Sequence, residues 1–249
     1  ADSLYYNSVD RKAQLFGNVS LTDKNQQLFT EVLNYDLNTK VATYFTGATL
    51  TNESTQLTSK IGYFYLEQNQ AFFKDSVIVV DPQFTVRSDT MQFNTQSKIV
   101  NFLGPTLIAS DSSRIYCEDG FYDTENSVAE FTQNAQFVRG KQEAVAEKIT
   151  YNGKQKEYIL AGNARFKEDD KRATADIIRY EEDTDKTFLI GNARYQDATQ
   201  NIVSNEIIYT AKTESFVTSG RSRISDPPQI IEADTINYAA ETGLGIAIG

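Results

Sequence analysis

An aromatic residue recurs every 29 positions along this chain, from residue 6 to residue 238, without one insertion or deletion. Because aromatic residues make up only 12% of the 249 residues, chance does not explain an unbroken series. A fixed period of this length is the signature of a repeat architecture. The members of this aromatic column are Tyr6, Tyr35, Phe64, Phe93, Tyr122, Tyr151, Tyr180, Tyr209 and Tyr238.

Other columns keep the same period and set the limits of the repeats. A second apolar column contains Leu50, Ile108, Phe137, Phe166 and Tyr195, a small residue opens each repeat, and a glycine column recurs in most of them. We therefore predict one continuous array over residues 1–249. Its nine repeats begin at residues 1, 30, 59, 88, 117, 146, 175, 204 and 233, and the last repeat is incomplete.

Within each repeat the apolar residues alternate with period two, which is typical of strands with one buried face. Two polar turn clusters occur per repeat, such as Asn152-Gly153 and Asp169-Asp170, and a glycine such as Gly162 allows a sharp bend between them. The pattern predicts an all-β fold, an elongated antiparallel β-jellyroll or trough whose two sheets join along one spine. A three-stranded parallel β-helix is the alternative, although its coils require three corners and each repeat shows only one glycine corner.

The composition argues against several classes of function. The chain has no histidine, which excludes catalysis by Ser-His-Asp or Cys-His arrangements, and the lone Cys117 excludes an internal disulfide. A net charge of −10 disfavours binding to nucleic acid, and no apolar run reaches the roughly 18 residues of a membrane-spanning helix. Carboxylate pairs such as Asp169-Asp170 fall in turns, where charge is ordinary. We therefore predict no catalytic residue, no metal site, no cofactor and no enzymatic activity.

Two consecutive repeats carry the same longer phrase. It runs small–acidic–x–aliphatic–x–aromatic, then a turn, then aliphatic–x–Gly–Asn–Ala–x–aromatic, and it occupies 146–166 and again 175–195. This phrase resembles the OstA-like (organic solvent tolerance) family, the periplasmic lipopolysaccharide-transport bridge proteins. The resemblance extends over the whole chain in phase and is sharpest in these two repeats.

The resemblance implies a carrier or bridge that holds the acyl chains of lipopolysaccharide in an apolar trough. It implies a location in the periplasm of a Gram-negative bacterium, either free there or associated with the outer membrane. The implied partners are lipopolysaccharide or another acylated lipid, and related transport proteins or further copies of the chain, joined end to end through strand edges. The residues expected to line the trough are Tyr35, Leu50, Phe64, Phe93, Ile108, Tyr122, Phe137, Tyr151, Phe166, Tyr180, Tyr195 and Tyr209.

A second hypothesis is a structural or adhesive β-solenoid whose aromatic columns only fill a dry core, as inner-face residues of any sandwich do. Two polar columns have simpler interpretations. The arginine column, Arg165, Arg194 and Arg223, is one residue out of phase with the apolar column and is expected to point outward. The acidic column, which includes Glu147 and Asp176, is expected to bond backbone amides at the spine corner.

Overall fold

A computed structural model describes residues 1–23, 26–239, 242 and 244–249 of the chain. These residues divide into two compact halves, Ala1–Glu125 and Asn126–Gly249. Every strand pairing described within either half is antiparallel, which confirms the predicted antiparallel β-fold and rejects the parallel β-helix. Of the helical segments in the described ranges, none has the length and apolar character needed to cross a membrane. The count of nine repeats and the single continuous array remain predictions.

The first half contains eleven strands and one short 3-10 turn, Leu66–Gln68, among its described residues. Neighbouring strands along the chain pair with one another, except where two long strands are each broken in two. The strands are β1 Ser3–Asn7, β2 Lys12–Asp23, β3 Gln26–Asp36, β4 Val41–Tyr44, β5 Ala48–Asn52, β6 Thr55–Ser59, β7 Ile61–Tyr65, β8 Gln70–Val80, β9 Thr85–Asn94, β10 Ile99–Ala109 and β11 Ser113–Asp123.

The second half is an uninterrupted meander, in which each strand pairs with the next. A 3-10 turn, Ala211–Thr213, lies between two of its strands. The strands are β12 Val128–Arg139, β13 Gln142–Asn152, β14 Glu157–Glu168, β15 Lys171–Glu181, β16 Lys186–Gln196, β17 Asn201–Thr210, β18 Ser215–Asp226, β19 Gln229–Ala239 and β20 Leu244–Ile248.

The long strands bend sharply near their middle, and the bend is visible as a break in pairing. Between β14 and β15 the register shifts after Ala161 and resumes at Ala164. The two intervening residues, Gly162 and Asn163, have φ angles of +79° and +48°, in the left-handed region that favours glycine and tolerates asparagine. The predicted glycine corner is therefore present, and it divides each strand into two arms.

A side chain from the neighbouring strand occupies the space beside each corner. Asn163 Nδ2 donates a 2.7 Å hydrogen bond to Glu147 Oε1, and Asn192 Nδ2 donates one of 3.0 Å to Asp176 Oδ2. These acidic residues thus meet side-chain amides, rather than the backbone amides expected from the sequence. A Cβ added at Gly162 would lie 2.5 Å from Glu147 Oε2, so the acid and the glycine fit together as a pair.

The two arms converge at the corner, where small residues are buried. Ala164 pairs with Ala175 and Ala193 with Ser204, and all four side chains are buried. Farther from the corner the inward positions carry larger side chains. We call the stretch with the aromatic column arm A and the stretch with the second apolar column arm B. Arms A and B thus form a trough that is narrow at the spine and wider towards the hairpin turns, which we call its lips.

Two strands of the first half are interrupted at the corner instead of bending through it. β3 pairs with both β4 and β5, while β8 pairs with both β6 and β7. The buried Tyr44 lies at this break, and its hydroxyl is 2.6 Å from Ser59 Oγ. Its ring fills the space that a Cβ at Gly62 would need, which explains a glycine inside the paired strand β7.

Candidate functional site

A row of buried aliphatic side chains forms the floor of the trough in the second half. Its members lie directly opposite one another on successive strands, so they pack as cross-strand neighbours. All are less than 9% exposed. The row consists of Ile149, Leu160, Ile178, Leu189 and Ile207.

Closer to the lips of the trough, the inward side chains of arm B alternate between large and small. Phe137, Ala144, Phe166, Ala173 and Tyr195 face one another in register on β12 to β16. Each alanine leaves a notch between two aromatic rings. On arm A the facing row is almost entirely aromatic, and it consists of Tyr151, Tyr158, Tyr180, Thr187, Tyr209 and Phe216.

The notches open into a cavity of about 200 Å³ between the two arms. Ala144, Ala173, Leu160, Ile178 and Leu189 contribute to its lining. Because aromatic and aliphatic side chains provide most of this surface, the cavity suits an apolar ligand.

Aromatic pairs that cross from arm B to arm A flank this cavity. The ring centroids of Phe137 and Tyr158 are 6.2 Å apart on one side. Those of Tyr195 and Tyr209 are 5.8 Å apart on the other, and Tyr195 also contacts Phe216 at 4.8 Å. The cavity is therefore a compartment of the trough with an aromatic contact at either side.

The rim of this compartment is polar and carries both signs of charge. Arg139 Nε donates a 3.1 Å hydrogen bond to Gln142 Oε1, and Gln142 Nε2 donates one of 2.9 Å to Glu168. Lys171 Nζ lies 5.9 Å from the centre of the Tyr209 ring. An amphiphile with its apolar part inside would meet these groups with its polar part.

Burial raises the pKa of three tyrosines in the compartment. It raises the pKa of Tyr158 to about 12, and the nearby Glu182 and Tyr151 add to the shift. Burial likewise raises the pKa of Tyr195, with a further contribution from Asp197. The pKa of Tyr180 is raised by burial and by Asp185, whose carboxylate accepts a 3.2 Å hydrogen bond from its hydroxyl. These three tyrosines therefore stay protonated well above neutral pH.

In the first half the alternation lies on the other arm. Tyr6, Ala13, Tyr35, Ala42, Phe64, Ala71 and Phe93 follow one another in register along arm A. Arm B carries medium-sized aliphatic residues instead, among them Leu28, Leu50 and Leu57. Two cavities, of about 920 and 570 Å³, lie inside this half and share Leu50 and Phe93.

The residues predicted to line the trough all lie on its inner face. Tyr195 is buried and the other eleven are half-buried. Phe137, Phe166, Tyr180, Tyr195 and Tyr209 border the compartment of the second half. Tyr35, Leu50, Phe64, Phe93 and Tyr122 border the two cavities of the first half. Ile108 and Tyr151 border none of these three cavities. Whether any of the twelve touches a ligand remains a prediction.

Sequence reasoning missed the residues that create the space. Ala144, Ala173 and Tyr158 line the compartment but were not predicted. A signal was present for the alanines, because the column that reads Leu28, Leu57, Val86 and Ile115 shrinks to alanine at these two positions. The pairing of each alanine with two aromatic rings depends on strand register, which the column alone does not give.

The lone cysteine, Cys117, is buried. Burial raises the pKa of the Cys117 thiol to about 12, so it stays protonated. Within the described ranges, no cluster of three or more His, Cys, Asp or Glu residues could hold a metal ion. Arg165 and Arg194 are exposed on the outer face, as expected, and Arg223 pairs there with Glu232 at 2.8 Å.

Comparisons with known proteins find matching family models and similar solved structures. A family model described as "LptA/(LptD N-terminal domain) LPS transport protein" matches residues 53–186 and 167–215, which together exceed half of the chain. A model described as "OstA-like protein" matches residues 1–89. None of the curated proteins matches the chain. One similar solved structure is LptH from Pseudomonas aeruginosa, the LptA homologous periplasmic component of a lipopolysaccharide transport device. It shares 14% identity, with a TM-score of 0.41, over 49% of this chain and 93% of LptH.

Proposed function

Because the chain belongs to the family of LptA and LptD N-terminal domain LPS transport proteins, we propose that it carries lipopolysaccharide by holding the acyl chains in its trough. The observation that carries this proposal is the compartment of the second half, where Ala144 and Ala173 leave notches between aromatic rings. A trough built only as a dry core would gain stability from larger side chains at these two positions. The family match also does not favour a structural or adhesive β-solenoid.

Burial of the acyl chain supplies the binding free energy. Each methylene removed from water contributes about 0.8 kcal/mol, so a twelve-carbon chain gains roughly 10 kcal/mol before the costs of association. The lining provides aromatic and aliphatic surface from both arms. Few polar contacts are therefore needed to hold the lipid.

The headgroup of the lipid would lie at the rim. Arg139, Lys171 and Arg172 are the cations there, and Glu168 and Asp185 are the acids. The net charge of −10 opposes binding of a phosphorylated headgroup at long range. We therefore expect the affinity for lipopolysaccharide to rise when added salt or divalent cations screen this repulsion.

The role that fits these features is a non-enzymatic bridge in the periplasm of a Gram-negative bacterium, free or associated with the outer membrane. The short strands β1 and β20 expose apolar side chains, with Leu4 at 65% and Ile246 at 62%. Exposed strand edges of this kind pair with strands of other molecules. The expected partners are related transport proteins and further copies of this chain, joined end to end.

Photo-crosslinking tests whether lipid enters the trough. A photoreactive amino acid placed at Phe166 or Tyr195 lies on the inner face, whereas one at Arg165 or Arg194 lies on the outer face of the same strand, one residue away. We expect crosslinks to lipopolysaccharide from the inner pair only. The neighbouring outer positions serve as matched controls for expression, folding and local sequence.

Two results would overturn the proposal. Equal crosslinking from the inner and outer positions would show that lipid associates with the surface rather than the trough. If neither pair captures lipid while circular dichroism shows an intact fold, the trough is a packed core and the solenoid hypothesis holds.

A further inference from the structure

A shallow groove runs across the outer face of arm A in the first half. Five side chains from five different strands form its centre, and each lies directly opposite the next in the pairing register. The groove encloses about 760 Å³. We call it the outer groove, and its central row is Tyr5, Gln14, Asn34, Thr43 and Tyr63.

The central row combines flat aromatic rings with neutral hydrogen-bonding groups. Gln14 Nε2 donates a 2.8 Å hydrogen bond to Asn34 Oδ1, which fixes the two amides side by side. An amide side chain has two donors and an acceptor oxygen, so this one bond does not exhaust either residue. Tyr5 is 60% exposed, and Tyr63 is held edge-on against Phe45 with their ring centroids 5.8 Å apart.

This combination matches the chemistry of a sugar ring. A sugar presents hydroxyl groups that donate and accept hydrogen bonds, for which amides and the Thr43 hydroxyl are suitable partners. Its C–H faces are apolar and can rest on the flat face of a tyrosine ring, while the phenol hydroxyl remains in water. Aromatic residues beside neutral amides therefore favour a saccharide over a purely apolar ligand.

The carboxylates at the border of the outer groove disfavour an anionic ligand. Asp10 and Asp36 lie at its border with Lys12, and Lys12 Nζ is 3.8 Å from Asp36 Oδ2. Two carboxylates thus border the groove with one lysine that already has a partner, and a second lysine, Lys74, lies with its Nζ 6.0 Å from the centre of the Tyr63 ring. A phosphate would meet repulsion here, so the structure favours sugar units without phosphate.

The corresponding outer row of the second half has a different character. Its members in register are Ile159, Arg179, Phe188, Ile208 and Val217. Arg179 stacks 4.1 Å above the Phe188 ring, and the remaining positions are mostly aliphatic. A neutral, amide-rich row is therefore a property of the first half and not of every outward sheet face in this chain.

The outer groove and the inner cavity of the first half share two lining residues at the lip. Tyr35 and Tyr65 line both the groove and the inner cavity of about 920 Å³. Both residues lie beside the hairpin turns of the lip, where β3 and β7 end. One amphiphile could therefore place its apolar part inside the trough and its polar part over the lip.

From the shared lining at the lip we propose that the outer groove binds the sugar units of the glycolipid whose acyl chains occupy the trough. This inference rests on the proposed function, since it assigns the saccharide part of the same molecule. Asn34 and Gln14 would hydrogen-bond the sugar hydroxyls, and Tyr5 and Tyr63 would carry the apolar faces of the rings.

Titration calorimetry with two separate probes tests the proposal on the full chain. The first probe is the water-soluble saccharide left after removal of all acyl chains and phosphate groups from lipopolysaccharide, and the second is dodecanoate. We expect Tyr63→Ala to weaken saccharide binding about tenfold and Asn34→Ala about two- to tenfold, with dodecanoate binding unchanged. Tyr63→Phe should retain most of the affinity, because it keeps the ring.

Val217→Ala, in the outer row of the second half, is the matched control and should leave both affinities unchanged. If Tyr63→Ala fails to fold, Asn34→Ala at a half-buried position and Tyr5→Ala at an exposed one give the same readout. The proposal is overturned if the saccharide does not bind, or binds equally to the groove variants. Saccharide binding that depends on the groove, without dodecanoate binding, would support the outer groove and reject the acyl-chain trough.

Discussion

Lys171 Nζ lies 5.9 Å from the centre of the Tyr209 ring, although the two residues belong to opposite arms of the trough. Tyr195 approaches the same ring from arm B, and Phe216 stacks on it at 4.7 Å within arm A. The Tyr209 ring therefore joins the two arms at one side of the compartment. Removal of the Tyr209 ring should therefore change access to the interior more than removal of any other half-buried tyrosine ring would.

We expect Tyr209→Ala to speed the entry and release of a fluorescent fatty-acid probe. The free energy of unfolding should fall by about 1–3 kcal/mol, less than for a fully buried ring because Tyr209 is only half-buried. Stopped-flow fluorescence and urea denaturation measure the two effects. Tyr209→Phe keeps the ring and should behave like the native chain. Identical probe kinetics in Tyr209→Ala would show that this contact does not control access.

Filling a notch should block the compartment without disturbing the fold. Ala173→Leu adds three carbon atoms next to Phe166 and Tyr195, where the cavity can receive them. We expect binding of dodecanoate to the second half to be lost while the free energy of unfolding changes by less than about 1.5 kcal/mol. Equilibrium binding and thermal melting report these quantities.

Ala161→Leu is the matched control for this change, because Ala161 lies on the outer face of β14 opposite Ile177. It should leave dodecanoate binding unaffected. A large loss of stability in Ala173→Leu would mean that the notch has no room for the larger side chain. Undiminished binding would place the acyl chain elsewhere.

The spine corner predicts a difference between two glycines that both have positive φ. At Gly162 (φ +79°) a Cβ would meet the Glu147 carboxylate, whereas at Gly140 (φ +58°) it would meet no atom within 4 Å. We expect Gly140→Ala to cost about 1 kcal/mol for the backbone conformation alone, and Gly162→Ala to cost about 2–3 kcal/mol. Adding Glu147→Ala to Gly162→Ala should recover part of this loss. Chemical denaturation of the native chain, the two single variants and the double variant can establish this. Equal losses at the two glycines would contradict the steric account.

One corner of the first half uses opposite charges in place of glycine and acid. Asp75 occupies the glycine position with φ +62°, and Lys60 Nζ lies 3.1 Å from its carboxylate. Lys60→Asp should lower the melting temperature at neutral pH because two carboxylates then face each other. Adding Asp75→Gly should restore it, since the pair then matches Asp176 and Gly191. Failure of the second change to rescue the first would show that these corners are not interchangeable.

The same pair has a defined pH dependence. The side-chain hydrogen bond from Lys60 lowers the pKa of Asp75 below its ordinary value of 3.8, despite an opposing effect of desolvation. A carboxyl group whose pKa is lowered by folding stabilises the protein above the ordinary value, and this contribution is lost as the pH falls below it. The small stability difference between the native chain and Lys60→Gln should therefore be present at pH 7, decline once the pH falls below about 4, and vanish when the pH has passed the lowered pKa of Asp75. A difference that persists in acid would point to packing rather than charge.

The repeated columns made the fold predictable because each position performs one structural task. The aromatic column lies inside arm A, Gly162 and Gly191 bend their strands, and small residues such as Ala164 allow the arms to converge. Turn geometry was less predictable. Asn152-Gly153 does begin a hairpin, but Asn152 Oδ1 accepts bonds from the backbone N–H groups of Lys154 and Gln155 in a longer turn.

The space within the trough was not predictable from a single column. A cavity depends on which side chains lie opposite one another, and therefore on register and on the approach of two arms. In the sequence, Ala144 and Ala173 are the two smallest members of an aliphatic column. They become notches only because strand register places them opposite the large rings of Phe137, Phe166 and Tyr195. The charge pair at the Asp75 corner was likewise not predictable, because Lys60 stands where most other corners have an acidic residue.

The meander of the second half has a consequence for how the chain acquires its structure. Each strand from β12 to β19 pairs with the strand that directly follows it in sequence. Folding therefore requires only the closure of short hairpin loops, and contacts between neighbours in sequence form faster than distant ones. A polypeptide emerging from a narrow channel with its amino terminus first can add one strand at a time to those already assembled, before the remainder has emerged.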